Sequence, residues 1–141
     1  MAEVIFEDYS MRVQSALAEK IDAALEEAAA EVESQTKRNC HPRVDTGQTK
    51  NSYKHRVTGS VMAGHYEAHI GSDYENAIWE EFGTGEHALN GNGRKGGWAY
   101  EDEWGVWHYT LGKKPHRPMQ RAYESKKKAI MRMFQNKLKG L

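Results

Sequence analysis

The chain has 141 residues, one cysteine, and equal numbers of acidic and basic side chains, twenty of each. That length fits one domain with a modest core. A single Cys40 excludes an internal disulfide framework, and no apolar run approaches the roughly 18–20 residues of a membrane helix. The zero net charge conceals a gradient: residues 1–36 sum to −7, residues 37–110 to −2 and residues 111–141 to +9. An acidic head and a basic tail attract each other, within a subunit or between neighbours, and a basic tail is also a footprint for nucleic acid.

From Tyr9 to Asn39 the sequence reads as one long helix, free of Gly and Pro. Val13, Leu17, Ile21, Leu25, Ala28 and Val32 recur at steps of three and four, which sets them on one face. About thirty residues span roughly 45 Å; the stripe is expected to cover the chain's own sheet, with length to spare for an outside contact. His41-Pro42 ends the helix. Alternation at Tyr53, His55 and Val57, and again at Tyr66, Ala68 and Ile70, predicts two antiparallel strands. Asp73 to Phe82 fits a short helix or an irregular strand. Gly83 to Gly97 holds six glycines and reads as a long mobile loop. Trp98-Ala99-Tyr100 and Val106 to Tyr109 form a second hairpin around Glu101 to Gly105. Pro115 and Pro118 introduce a closing helix to Lys139, with Ala122, Ile130, Phe134 and Leu138 on its apolar side. The expected fold is α+β in a single domain, residues 1–141: helix 9–39, antiparallel sheet and loop 44–110, helix 118–139.

Catalytic motifs do not survive inspection. Asp45-Thr46-Gly47 matches the aspartic-protease tripeptide, whose paired aspartates share a proton, but polar residues surround it, and a turn capped by Asp45 or Thr46 is the simpler reading. His65 and His69, four apart on a strand, lie about 13 Å apart, too far for one zinc. Gly83-Thr84-Gly85 lacks the Lys-Ser/Thr of a phosphate loop. Glu80 and Glu81 are adjacent and form no acid/base pair. No enzyme activity, metal or cofactor is expected.

Three stretches in order carry a resemblance: Val44-Asp45-Thr46-Gly47 with Ser52; Tyr74, Ala77 and Glu81-Phe82-Gly83-Thr84-Gly85; and Thr110-Leu111-Gly112 running into Pro115, Pro118 and Ala122. The pattern resembles the neck or tail-completion proteins of long-tailed bacteriophages, the gene-product-ten-like family of head–tail connector components, over roughly residues 40–125. That resemblance implies a non-enzymatic virion protein at the head–tail junction, made in the bacterial cytoplasm. It implies a homo-oligomeric ring, with a hexamer or a dodecamer as candidate forms, in contact with neck, connector, tail-terminator or tail-tube proteins. DNA would be passing cargo only, and no membrane is involved. The residues expected at a subunit or partner interface are Tyr74, Trp79, Glu80, Glu81, Phe82, Trp98, Trp104, Trp107, Lys113, Lys114 and Arg117. Stiff aromatics suit such a surface, and the glutamates would meet a neighbour's basic closing segment; plain core packing is the alternative for Tyr74 and Phe82. Asp45, Thr46, Gly47, Gly83, Gly85, Gly112, Pro115 and Pro118 are expected to shape turns. Two other classes stay open. One is a nucleic-acid-binding protein using Lys113, Lys114, Arg117, Arg121 and Lys126 to Lys128. The other is a dimeric aspartic protease using Asp45.

Overall fold

The computed structural model describes residues 4–5, 7–41, 47–60 and 63–139. Val44, Asp45 and Thr46, and with them the protease alternative, lie outside the described residues. The architecture is α+β. Helix α1 (Ser10–Asn39) leads to a short α2 (Gln48–Ser52) and the antiparallel pair β1 (Lys54–Ser60) and β2 (His65–Gly71). Helix α3 (Glu75–Phe82), the hairpin β3 (Trp98–Glu101) and β4 (Trp107–Thr110), and helix α4 (Pro118–Leu138) complete it. The strands form two separate two-stranded sheets, not one.

The alternation read from the sequence is the register itself. His55 faces Ile70 and Val57 faces Ala68, all half-buried, so one face of the β1–β2 ribbon lies on α1. The ribbon is also held by charge. His55 Nδ1 lies 2.6 Å from Glu33 Oε2, and its Nε2 meets Glu26, so one imidazole bridges two acids of α1. Those hydrogen bonds to Glu26 and Glu33 raise the His55 pKa above its ordinary value, against partial burial.

Helices α1 and α4 run antiparallel. Asn39 Nδ2 donates to the Pro118 carbonyl at 3.0 Å, and Lys126 pairs with Glu31 at 2.8 Å about two turns further along both helices. Lys137 pairs with Glu27 at 2.9 Å. The acidic head and basic tail therefore meet within one chain. Small residues lie along the seam: Ala24 and Ala122 are fully buried and Ala28 nearly so, with Ala28 beside Ala129 and Ile130 of α4, which lets the backbones approach closely. The expected apolar stripe is only partly used. With 30 residues, α1 outruns the 21 of α4; Val13, placed on the buried face by periodicity, is 58% exposed, and Met11 is exposed beside it.

Ala24→Leu overpacks the seam and lowers unfolding free energy by about 1–3 kcal/mol, whereas Ala23→Leu on the exposed side changes it by less than about 0.5 kcal/mol, both read by urea denaturation. For the His55 clasp, a folded-state pKa raised above the unfolded one means that its stabilisation is full below the unfolded value and fades as pH rises through the raised one. Glu33 is held below its usual value by His55 and Lys37, against the burial that opposes this, so its share fades as pH falls through that lowered value. His55→Gln should therefore cost about 1 kcal/mol at mildly acidic pH. The gap to wild type closes on both the alkaline and the strongly acid side.

Candidate functional site

Helix α3 is short, and its faces are sharply divided. Ala77 enters the core with Cys40, Tyr53 and the half-buried Met119. Tyr53 is fully buried; its hydroxyl meets no hydrogen-bonding nitrogen or oxygen among the described residues and sits against Cys40. Burial first, then Cys40 and the nearby Glu81 and Glu80, pushes the Tyr53 phenol far above its normal range. Burial, with Glu80 next, pushes the Cys40 thiol up as well. Both groups stay neutral, so this centre holds no thiolate or phenolate nucleophile.

The adjacent glutamates are inside, at 6% exposure for Glu80 and 4% for Glu81. Glu81 Oε2 accepts the Met119 amide at 2.9 Å and Oε1 accepts the Gln120 amide at 3.0 Å. A carboxylate thus caps the first turn of α4, where free N–H groups and the helix dipole both favour an anion. The Glu80 carbonyl accepts the His116 amide at 2.8 Å and the Arg117 amide at 3.1 Å, while its carboxylate pairs with Lys113. His116 Nε2 in turn bonds the Asn39 carbonyl at 2.8 Å. Glu80, Glu81 and Lys113, expected at a subunit or partner interface, are engaged within the chain itself. They hold the ends of α1, α3 and α4 together within one chain, because a buried charge left unpaired would be prohibitive. Arg117, just before Pro118, takes a left-handed backbone (φ 54°) that costs a non-glycine residue roughly 1–2 kcal/mol, held in place by the bonds around it.

The turn after α3 lies backbone to backbone with the segment before α4. Thr84 N donates to Lys113 O at 2.8 Å, Glu86 N to Leu111 O at 2.8 Å, and Lys113 N to Thr84 Oγ1 at 2.7 Å. A Cβ on Gly112 would stand 2.1 Å from the Thr84 carbonyl, and one on Gly85 2.3 Å from that of Leu111; only glycine permits this approach. Gly83 and Gly47 also have positive φ, Gly47 as the residue before α2. Pro118 opens α4, and Pro115 packs by Gly83. Residues flanking the first stretch join the same centre: Asn76 Nδ2 donates to Thr49 Oγ1 at 2.8 Å, and Ser52 and Ser72 share a hydroxyl bond at 2.5 Å. Ala77 of the second stretch packs with Tyr53 and with Met119, the residue after Pro118 of the third, and Gly112 of the third lies against Thr84 and Gly85 of the second.

Outside this clamp the surface is aromatic. Between α3 and the glycine-rich segment lies an open cleft of about 600 Å³, walled by Ile78, Trp79, Phe82 and Trp98, with Arg94 at its rim. The Arg94 guanidinium sits 5.8 Å from the Trp98 ring centre. The expected glycine-rich loop is present, irregular apart from a 3₁₀ turn at Gly85–His87, and is tied down by hydrogen bonds: Leu89 N donates to Phe82 O at 2.8 Å and Gly96 N to Glu86 Oε1 at 2.7 Å, and Tyr109 reaches the Gly96 carbonyl. Beyond it the hairpin exposes Trp104 (83%) and Trp107 (67%). Of the expected interface residues, Trp79 and Phe82 are partly exposed, Trp98 and Tyr74 are half-buried, Lys114 is exposed and Arg117 half-buried. Sequence reasoning missed Ile78, Arg94, Tyr100 and Tyr109; the alternating Tyr100 and Tyr109 were legible as strand residues but not as outward-facing ones.

Neither family models, curated proteins nor solved structures give a match to this chain. Among the described residues, no His, Cys, Asp or Glu cluster suits a metal ion, and no helix is long and apolar enough to cross a membrane.

Removing the clamp carboxylate tests its weight. Glu81→Ala orphans two amides at the start of α4 and should cost about 1–3 kcal/mol in urea denaturation. Glu81→Gln, which keeps an acceptor oxygen but no charge, should cost about half as much.

Proposed function

We propose that the chain is a structural joint of a long-tailed phage virion, a non-enzymatic neck or tail-completion component that meets other proteins at the head–tail junction and assembles as a ring. The observation that carries this reading is an aromatic surface, Trp79, Phe82, Trp104 and Trp107, left open to solvent on a base clamped by buried glutamates. Exposed aromatics in such number mark contact surfaces rather than ordinary exterior. The second and third of the stretches that resemble the connector family contribute to that clamp, which gives their residue types a structural reason. Ring closure by an acidic α1 against a neighbour's α4 loses force as a mechanism, since Glu27 and Glu31 are engaged by Lys137 and Lys126 of the same chain.

A stop codon early in this reading frame, in a phage that carries it, is the direct test. The expected outcome is DNA-filled heads and finished tails that fail to join, with the chain recovered from wild-type virions by mass spectrometry. Normal joined particles without the chain would overturn the reading.

A further inference from the structure

The β3–β4 hairpin touches its own chain at its base, where Trp98 meets Arg94 and the Tyr109 hydroxyl reaches the Gly96 carbonyl, and its tip turns to solvent. Among the described residues its strands pair only with each other, neither packs substantially on a helix, and Trp104, Trp107 and Tyr109 are each at least two-thirds exposed. Aromatic side chains of this size bury roughly 150–250 Å² each, so covering the three would withdraw about 500 Å². That exceeds half of the ~800 Å² that one side of a stable interface buries.

The hairpin is also acidic: no Lys or Arg occurs between Trp98 and Thr110, while Glu101, Asp102 and Glu103 do. Asp102 is occupied, accepting the Trp104 and Val106 amides at 2.9 Å each and facing His108 at 2.7 Å. Glu101 and Glu103 are exposed and have no cation within ion-pair distance among the described residues. Such a surface calls for a partner that is basic and carries flat or flexible apolar groups.

The outer face of α4 has that chemistry. Lys128 and Arg132, one helical step apart, are exposed there beside Met131, which is 57% exposed, and no carboxylate compensates either cation among the described residues; those of α1 take Lys126 and Lys137 instead. A Lys or Arg over a tryptophan face adds attraction beyond area. Nucleic acid fits the α4 face alone, because the hairpin's carboxylates would repel phosphate. Nor is the hairpin free to fold back onto its own helix, since its outgoing strand is pinned at Leu111 and Lys113 to Glu86 and Thr84.

We infer that the β3–β4 hairpin of one copy docks on the outer face of α4 in a second copy, head to tail. Two different patches meeting in this way generate a ring or an open chain rather than a symmetric pair. The inference rests on the assembly reading above and names its surfaces.

The test is sedimentation of the full-length protein over rising concentration, with Trp104→Ser/Trp107→Ser and Lys128→Glu/Arg132→Glu as double variants. Wild type should form multi-subunit species, loosened at high salt, and each variant alone should associate at least about tenfold more weakly. Mixed in equal amounts, the two variants should stop at a one-to-one complex, because each retains one intact surface. Glu101→Lys/Glu103→Lys added to Lys128→Glu/Arg132→Glu should restore assembly, an outcome that no folding defect can imitate. Several results would overturn the contact: a wild type monomeric throughout, variants that assemble like wild type, a mixture without the paired complex, or an α4 variant that loses only duplex-DNA binding. If the contact fails while the chain is still found in virions, the neck reading stands; if assembly holds while virions lack the chain, that reading fails instead.

Discussion

The fold depends on two buried glutamates at the close of one short helix. Two neighbouring glutamates at the close of α3 point about 100° apart around the helix axis, so one carboxylate can cap α4 while the other meets Lys113. The same two residues use backbone as well as side chain, since the Glu80 carbonyl takes two amides from the approach to α4. Charges this deeply buried are tolerable only when every lone pair finds a donor. That requirement fixes where α4 begins and which way it leaves, and so sets its antiparallel course along α1.

Once α4 is aimed, the charge gradient of the sequence acquires a job. Glutamates of α1 meet lysines of α4 across an alanine-lined seam, and a histidine of β1 sits between two further acids of α1. Exposed pairs of this kind each contribute little. Together they settle register and direction, while among the described residues Glu101 and Glu103 of the hairpin and Lys128 and Arg132 of α4 stay outside these pairs.

Much of this was legible in the residues. Thirty residues without Gly or Pro announce α1, and strict alternation announces β1 and β2 down to the facing pairs His55–Ile70 and Val57–Ala68. Other features were hidden for physical reasons. Eight residues give too few turns for periodicity to separate α3 from a strand. Val13 falls on the right face of α1 but beyond the reach of α4, and no local pattern reports where a partner helix ends. Glu80 and Glu81 look like surface residues because a letter carries no record of the amides that will surround it. The glycines from Gly83 to Gly97 announced a loop, but not that the missing side chain at Gly85, as at Gly112 beyond it, admits another backbone. For the first motif stretch the reading stays with the sequence, since Asp45 and Thr46 lie outside the described residues.

The pinning of Thr84 and Glu86 to Lys113 and Leu111 has a mechanical consequence. A load applied at the tip of the hairpin reaches the rest of the molecule through Leu111 and Lys113, where neighbouring backbone bonds and the Thr84 hydroxyl share it. Bonds loaded together resist far better than bonds opened one at a time. Force arriving at Trp104 would therefore pass into the α3–α4 junction as strain on a whole clamp, and the hairpin would behave as a stiff strut rather than a hinged flap.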